Sequence, residues 1–357
     1  MAKTVEGVGG VTYDNSRWSW PPELNILGAL IFLILAFEMI GRIFLHDSFL
    51  FNLRPEIGTL FNERRLEIII LQVSITGIIA IGVTQVIISG GIDLSSGSLV
   101  GAAAMIAMTF AQTATVNGNP NPTMALPPAY ADFPVIVPII IALAFGLVVG
   151  LINGALVAYT RILPFIATLG MMLSARGVSQ WITKGKPISF PTNAYTYIGG
   201  GFMPVVIFIG LAILFQLILT YTKYGKYCYA IGSNEEAARI SGIKVENHKI
   251  LVYTIAAMLA ALAALVLSSK NQTAQAGMGF GYELDAIAMA VIGGVSLSGG
   301  RGSIIGTVLG ALIFGVIISG FTFVGLDAFY QLMVKGFLIV GAAVFDQYRQ
   351  GRGARGK

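Results

Sequence analysis

The chain has 357 residues, of which 55% are hydrophobic and 11% are charged. A soluble domain is about one quarter charged, so this composition excludes a mainly soluble protein and predicts a membrane protein. The formal net charge is +5, but the basic residues are scattered over loops between apolar runs, which argues against a nucleic-acid-binding surface. The single cysteine, Cys228, excludes an intrachain disulfide and a paired-cysteine metal or redox motif.

Apolar runs of roughly 20 residues, long enough to cross a bilayer as a helix, recur along the chain. They predict an all-α, polytopic integral membrane protein with about ten transmembrane helices and glycine-rich helix breaks. We expect a cytoplasmic N-terminal segment (1–23), a transmembrane domain (24–346) and a basic cytoplasmic tail (347–357). The runs are 24–45, 68–88, 98–116, 135–159, 162–181, 203–221, 250–269, 284–297, 304–323 and 328–345.

Charged side chains inside these runs need partners, since a charge at membrane depth must be paired or hydrated. In the first run Glu38 and Arg42 have the i,i+4 spacing that places them side by side on a helix. Asp285 and Lys335 are candidates to pair with each other. Arg176 has no obvious partner, and a cation on a solute route would suit a carboxylate substrate.

The glycine-rich segments form a weak internal repeat, because residues 90–98 resemble residues 293–303. Each segment closes one apolar run and opens the next, and Asp93 falls near the positive end of a helix. Two interpretations remain open: tight cytoplasmic turns, or bends in discontinuous helices that line a solute route. Candidate route residues are Gly90, Gly91, Asp93, Ser95, Gln72, Gln85, Asn153, Thr168, Phe165, Gly293, Gly294, Ser296 and Ser298.

A dense group of charges occupies residues 223–249, between two long apolar runs. The bias of Lys and Arg predicts that this segment and both termini face the cytoplasm, and that the polar loop 117–134 lies outside. Residues 233–240 predict a short helix, with Ser233 or Asn234 as its N-cap and Gly242 at its end. This helix is either a docking element or a solvated loop that merely joins two spans.

Catalytic and nucleotide-binding motifs are absent from the sequence. No GxxxxGK[ST] motif is present, so the chain has no P-loop for ATP. There is also no HExxH or GxSxG motif, and the only histidines are His46 and His248, at the ends of apolar runs. We therefore expect no enzyme activity, no metal site and no cofactor bound by this chain.

Three sequence blocks carry a family resemblance: GLINGALVAYTRILPFIATLGMM (150–172), AIGSNEEAARISGIKV (230–245) and YELDAIAMAVIGGVSLSGGRGSIIG (282–306). They resemble the membrane permease subunit of sugar-importing ABC transporters of the ribose/galactose type, over most of the chain beyond residue 60. The resemblance implies a homodimer in the bacterial inner membrane, with a separate ATP-binding subunit and a periplasmic sugar-binding protein. It assigns contact with the ATP-binding subunit to Ser233, Asn234, Glu235, Glu236, Ala237, Ala238, Arg239, Ser241 and Gly242.

The expected solute is neutral and rich in hydroxyl groups, a monosaccharide or a cyclitol. A charged solute would need a compensating charge along its route, whereas the runs mostly offer Gln, Asn, Thr and Ser. The alternatives are a branched-chain amino-acid ABC permease and, with less support, a self-contained secondary transporter or channel. An intramembrane enzyme has the least support, because no acid, base and nucleophile converge.

Overall fold

The computed structural model describes residues 22–52, 60–327, 329–337, 340–341, 344 and 348. The predicted segment 1–23 and the tail 347–357 lie outside these residues, apart from residues 22, 23 and 348. The described part is mainly helical. Its α-helices are α1 (Pro22–Ile40), α2 (Glu63–Ile88), α3 (Ser96–Ala111), α4 (Ile136–Tyr159), α5 (Pro164–Thr183), α6 (Asn193–Thr196), α7 (Met203–Tyr221), α8 (Lys223–Ser233), α9 (Glu235–Ile240), α10 (Val245–Asn271), α11 (Tyr282–Ile292) and α12 (Ile304–Phe323), and residues 329–337 are also helical.

Six helices of the described part are long and apolar enough to cross a membrane: α1 with its π-helical extension Gly41–Leu45, α2, α4, α7, α10 and α12. Helices suit the bilayer because all their backbone hydrogen bonds are made within the segment. Most of α2, α10 and α12 is buried, whereas most of α1, α4 and α7 is not fully buried. The chain is therefore a multi-pass membrane protein with an inner and an outer layer of helices.

Helix α4 packs closely against α10. Gly150 and Gly154 are one turn apart on α4, and a Cβ at these positions would lie 2.5 Å from the Cα of Thr254 and 2.6 Å from the Cα of Ile250. Small residues at such spacing let two helix backbones approach closely. In lipid no hydrophobic force drives helices together, so they associate through close packing of this kind. This packing fixes α4 against the buried centre.

Two helices are short for a bilayer: α3 has 16 residues and α11 has 11, or about 24 Å and 16 Å. Their N-termini meet, because Gly97 in the first turn of α3 packs against Glu283 in the first turn of α11. From there α3 runs to one end of the bundle, where the Ala111 carbonyl accepts from Thr192 N–H. In contrast, α11 runs to the opposite end, so each helix crosses only part of the bundle.

The two ends of the bundle differ in structure. One end, called here the strand end, carries two antiparallel pairs, β1 (Thr115–Val116) with β2 (Asn119–Pro120) and β3 (Ile188–Ser189) with β4 (Thr273–Ala274), and a 3-10 turn, Pro128–Tyr130. The opposite end, called the α9 end, carries α8 and α9. Every long helix joins these two ends.

Several predicted boundaries differ from those observed. The third run was expected over 98–116, but α3 ends at Ala111 because Thr115–Val116 pair with β2. The segment 223–249 is mostly helical: α8 fills its first part, and α10 begins at Val245 rather than at residue 250. The sequence did not predict α8 as a separate helix, because its charged residues obscure the apolar face that contains the buried residues Cys228 and Ile231. The predicted run 328–345 lies partly outside the described residues.

The predicted pairing of Glu38 with Arg42 is confirmed, with 2.7 Å between Oε1 and Nη2. The other carboxylate oxygen of Glu38 accepts the backbone N–H groups of Phe49, Leu50 and Phe51. Glu38 thus neutralises a neighbouring cation and also holds the chain that leaves the first span.

Candidate functional site

Helix α9 has a defined start and end. The Oδ1 atom of Asn234 accepts the N–H of Ala237 at 2.9 Å, so Asn234 is the N-cap, whereas Ser233 is the last residue of α8. Gly242 follows the helix with φ of +86°, a conformation that glycine adopts without strain. The helix therefore comprises residues 235–240, two residues fewer than the sequence predicts.

Ion pairs attach one side of α9 to the start of α10. Arg239 bonds the Glu246 carboxylate and lies 3.3 Å from Glu235, and Lys249 lies 2.7 Å from Glu235. The hydrogen bond that Arg239 donates to Glu246, together with the neighbouring carboxylates, raises the pKa of Arg239, so the guanidinium stays charged. Exposed pairs of this kind each contribute little alone because solvent screens them, and here they act together on one short helix.

The remaining surface of α9 is divided between packing and exposure. Ala238 is buried against Ile231 of α8 and Val245 of α10. In contrast, Ala237 and Glu236 face outward, and Ile240 is 80% exposed. The fold thus holds α9 on the side that packs against α8 and α10. We call the opposite, exposed side, with Glu236, Ala237 and Ile240, the front of α9.

A cavity of about 400 Å³ lies between α9 and the turn that joins α4 to α5. Its charged walls come from both sides, Arg161 from the turn and Glu235, Glu236 and Arg239 from α9. The cavity also reaches Gly90, the first glycine of the repeat. The first glycine-rich segment is therefore next to α9.

Backbone contacts join this corner to both glycine-rich segments. Gly300 N–H donates to the carbonyl of Ile88 at 2.8 Å. A Cβ at Gly232, near the end of α8, would overlap the Ile88 carbonyl and lie 2.6 Å from Gly300 N. A Cβ at Gly299 would lie 2.8 Å from Gly232 O and 3.0 Å from Gly90 Cα. We call Gly90, Gly232, Gly299 and Gly300 the glycine junction.

The sequence indicated only some of the residues of the glycine junction. The repeat marked Gly90 and the segment 293–303, but no sequence pattern marked Gly232. Within the two segments, Gly90 and Gly294 have φ of +80° and +86°. Gly91 is needed for space instead, because a Cβ there would lie 2.5 Å from the hydroxyl of Tyr253. Gly293 is likewise packed against the backbone of Gly306.

Four of the predicted route residues come together at the first segment. Asp93 Oδ1 accepts the N–H of Ser95 at 2.8 Å and its hydroxyl at 2.6 Å. Asn153 Nδ2 of α4 donates to Ser95 Oγ at 2.9 Å. Thr168 of α5 lies beside the same segment, with its hydroxyl 3.4 Å from the carbonyl of Ile92. Helices α3, α4 and α5 thus bring these polar groups to one place.

The other predicted route residues lie elsewhere. Gln85 bonds the Tyr224 hydroxyl of α8 at 2.8 Å, and Gln72 and Phe165 are exposed on the surface of the bundle. Ser296 and Ser298 belong to the second segment, where Ser296 N–H donates to the carbonyl of Arg301. Their shared polar or aromatic character therefore did not predict a shared location.

Three charged residues within the spans, Asp285, Lys335 and Arg176, bond other groups. Lys335 Nζ lies 2.9 Å from Asp285 Oδ2, so the predicted pair is confirmed. Arg176 Nη1 donates to the carbonyls of Ala276 at 2.7 Å and Met278 at 3.0 Å. Those carbonyls belong to the non-helical segment before α11, where backbone oxygens at membrane depth need donors. Arg176 therefore holds this segment in place.

Comparison with known proteins gives consistent matches. Residues 65–343 match the family model described as branched-chain amino acid transport system / permease component. The ribose import permease protein RbsC of Escherichia coli K12 is 36% identical over 97% of this chain and 100% of its own length. RbsC of Bacillus subtilis 168 is 42% identical over 77% of this chain and 82% of its own length.

The galactose/methyl galactoside import permease protein MglC of Escherichia coli K12 is 35% identical over 82% of this chain and 89% of its own length. No solved structure matches the chain. The match to RbsC extends into the first 60 residues, where the motifs carried no resemblance. The resemblance to sugar ABC permeases is confirmed, and the chain belongs to the family described as branched-chain amino acid transport system / permease component.

Proposed function

We propose that this chain is the membrane-spanning permease subunit of an ATP-driven importer for a neutral sugar or cyclitol. The observation that carries the proposal is the similarity to ribose and galactose import permeases over most of the chain. The engaged charges support it: Arg176 bonds two carbonyls and Lys335 bonds Asp285. Because Arg176 already bonds these carbonyls, it is a less suitable binding group for a carboxylate solute.

The proposed partners are a separate ATP-binding subunit, a periplasmic binding protein that delivers the solute, and a second copy of this chain. The ATP-binding subunit docks on the front of α9, where Glu236, which lines the cavity, and Ile240 are exposed. Movement of α8 and α9 then reaches both glycine-rich segments through the glycine junction, because Gly232 touches Ile88 and Gly300. ATP hydrolysis takes place on the partner.

The proposed topology has about ten helices in the bacterial inner membrane. They are the six long apolar helices together with α3, α5, α11 and the helical residues around 329–337. Both termini and residues 223–249 face the cytoplasm, and the loop 117–134 at the strand end faces outward. The glycine-rich segments act as breaks between the helices on either side of them.

Topology can be tested with single cysteines at Asn119 and Asn234 in a Cys228→Ser background. Both side chains are exposed, so an impermeant thiol reagent added outside reaches whichever faces the periplasm. We expect labelling at position 119 and none at position 234 until the membrane is opened. Labelling at 234 alone would reverse the proposed orientation.

Transport can be tested in proteoliposomes that hold this chain with the ATP-binding subunit and the binding protein that purify with it. Labelled D-ribose, D-galactose and myo-inositol are compared with labelled leucine, isoleucine and valine. We expect saturable, ATP-dependent entry of at least one sugar or cyclitol. Entry of an amino acid and of none of the three polyols would reject the sugar proposal.

A second candidate function is import of branched-chain amino acids, which the printed description of the matching family favours. It predicts the opposite result in the same assay. A self-contained transporter differs from both, because it moves solute when this chain is reconstituted alone and without ATP.

A further inference from the structure

The first turn of α3 collects buried polar atoms that lack partners. Among the described residues, five buried side-chain nitrogen or oxygen atoms have no hydrogen-bond partner. Three of these five are Ser96 Oγ, Asn153 Oδ1 and Glu283 Oε2, and all three surround the start of α3. Each orphaned atom costs about 1–3 kcal/mol, so such a concentration calls for a functional reason.

Each of the three atoms has a defined place at this turn. Ser96 is the first residue of α3. Asn153 donates from Nδ2 to Ser95 Oγ at 2.9 Å, which keeps its free Oδ1 beside the same turn. Glu283 is 8% exposed, and its Oε2 rests against Gly97, where any Cβ would overlap it. Glycine at position 97 therefore makes room for the carboxylate.

Neither of two nearby cations donates a hydrogen bond to Glu283 Oε2. Arg176 donates Nη1 to the carbonyls of Ala276 and Met278, and Lys335 is paired with Asp285. Helix α3 adds N–H groups of its first turn, which have no acceptor within the helix. The turn thus combines hydrogen-bond donors with acceptors of more than one kind.

We propose, on the basis of the importer function proposed above, that the first turn of α3 is a solute contact site for hydroxyl groups. Carboxylate and amide oxygens accept from a hydroxyl, and serine can donate or accept, so a polyol satisfies all three orphaned atoms. These atoms are buried here, and solute reaches them when α3 and α11 separate. Both helices border glycine-rich segments that meet at the glycine junction, which links opening to α8 and α9.

Transport by the complete complex tests the site with Ser96→Ala and Glu283→Gln. The control is Ser74→Ala, because Ser74 is equally buried but its hydroxyl already bonds the Ile70 carbonyl. We expect solute moved per ATP hydrolysed to fall about 3- to 10-fold in Ser96→Ala and about 10-fold or more in Glu283→Gln. Ser74→Ala should transport as wild type.

Thermal stability separates solute contact from a structural role. Removing an orphaned hydroxyl relieves a buried unsatisfied group, so Ser96→Ala should keep or raise the Tm of the complex while transport falls. Wild-type coupling in both Ser96→Ala and Glu283→Gln would overturn the proposal. A fall in coupling that is matched by a lower Tm in both variants would overturn it as well.

Accessibility gives a test that does not depend on the identity of the solute. In a Cys228→Ser background, Ser96→Cys should react with a small hydrophilic thiol reagent during ATP turnover and stay protected without ATP. If an amino acid enters and none of the tested polyols does, the sugar proposal fails, and this labelling alone decides whether the turn lines an aqueous route. Absence of labelling in both states would reject the site.

Discussion

Substitution of Gly232 by alanine tests the glycine junction most directly. Gly232 has an ordinary helical conformation near the end of α8, so alanine adds only one methyl group. That methyl would overlap the carbonyl of Ile88 and lie 2.6 Å from the nitrogen of Gly300. Both neighbours are backbone, which cannot rotate away as a side chain can.

The expected cost of Gly232→Ala follows from two effects and one offset. Overpacking against a rigid neighbour costs about 1–3 kcal/mol. Separating Ile88 from Gly300 also breaks their 2.8 Å hydrogen bond, which leaves a donor and an acceptor unsatisfied at about 1–3 kcal/mol. Alanine is the better helix former, which offsets about 0.5–1 kcal/mol of this destabilisation. We expect a net destabilisation of about 1–5 kcal/mol.

The assay compares Gly232→Ala with Gly210→Ala in the purified complex. Gly210 lies on α7 with no atom within 4 Å of its added Cβ, so that variant gains helix propensity without a clash. Gly232→Ala should lower the Tm and the solute-stimulated ATP hydrolysis, whereas Gly210→Ala should change neither. Equal behaviour of the two variants would show that the three backbones do not need this close approach.

Three further predictions concern single positions. Burial raises the pKa of the Cys228 thiol to about 12, so maleimide at pH 7.5 should label Cys228 only after denaturation, and labelling of the native chain would contradict its burial. Gly91→Val should abolish transport because the new side chain collides with Tyr253. Gly28→Val should be tolerated, because no atom lies within 4 Å of a Cβ added there. Equal transport by both variants would refute the steric reasoning. Glu236→Lys reverses the charge on the exposed front of α9 and should leave the protein in the membrane while ATP hydrolysis loses its response to solute; unchanged coupling would reject docking there.

Local rules in the sequence determined much of the fold. A helix in lipid depends on a long enough apolar run, because each helix satisfies its own backbone. The spans 203–221 and 304–323 were therefore predicted to the residue. The pair Glu38 and Arg42 and the cap at Asn234 follow from spacing along one helix, and both are seen.

Tertiary structure alone decided which distant segments meet. Nothing near Gly232 in the chain indicates that it touches both Ile88 and Gly300, because that contact depends on how α2, α8 and the segment 293–303 pack. The role of Arg176 was open for the same reason, since its acceptors Ala276 and Met278 lie on another segment. Whether Ser96 or Glu283 finds a hydrogen-bond partner is likewise a property of packing. Local propensity selects the helices, whereas close approach and polar satisfaction arise only when remote backbones come together.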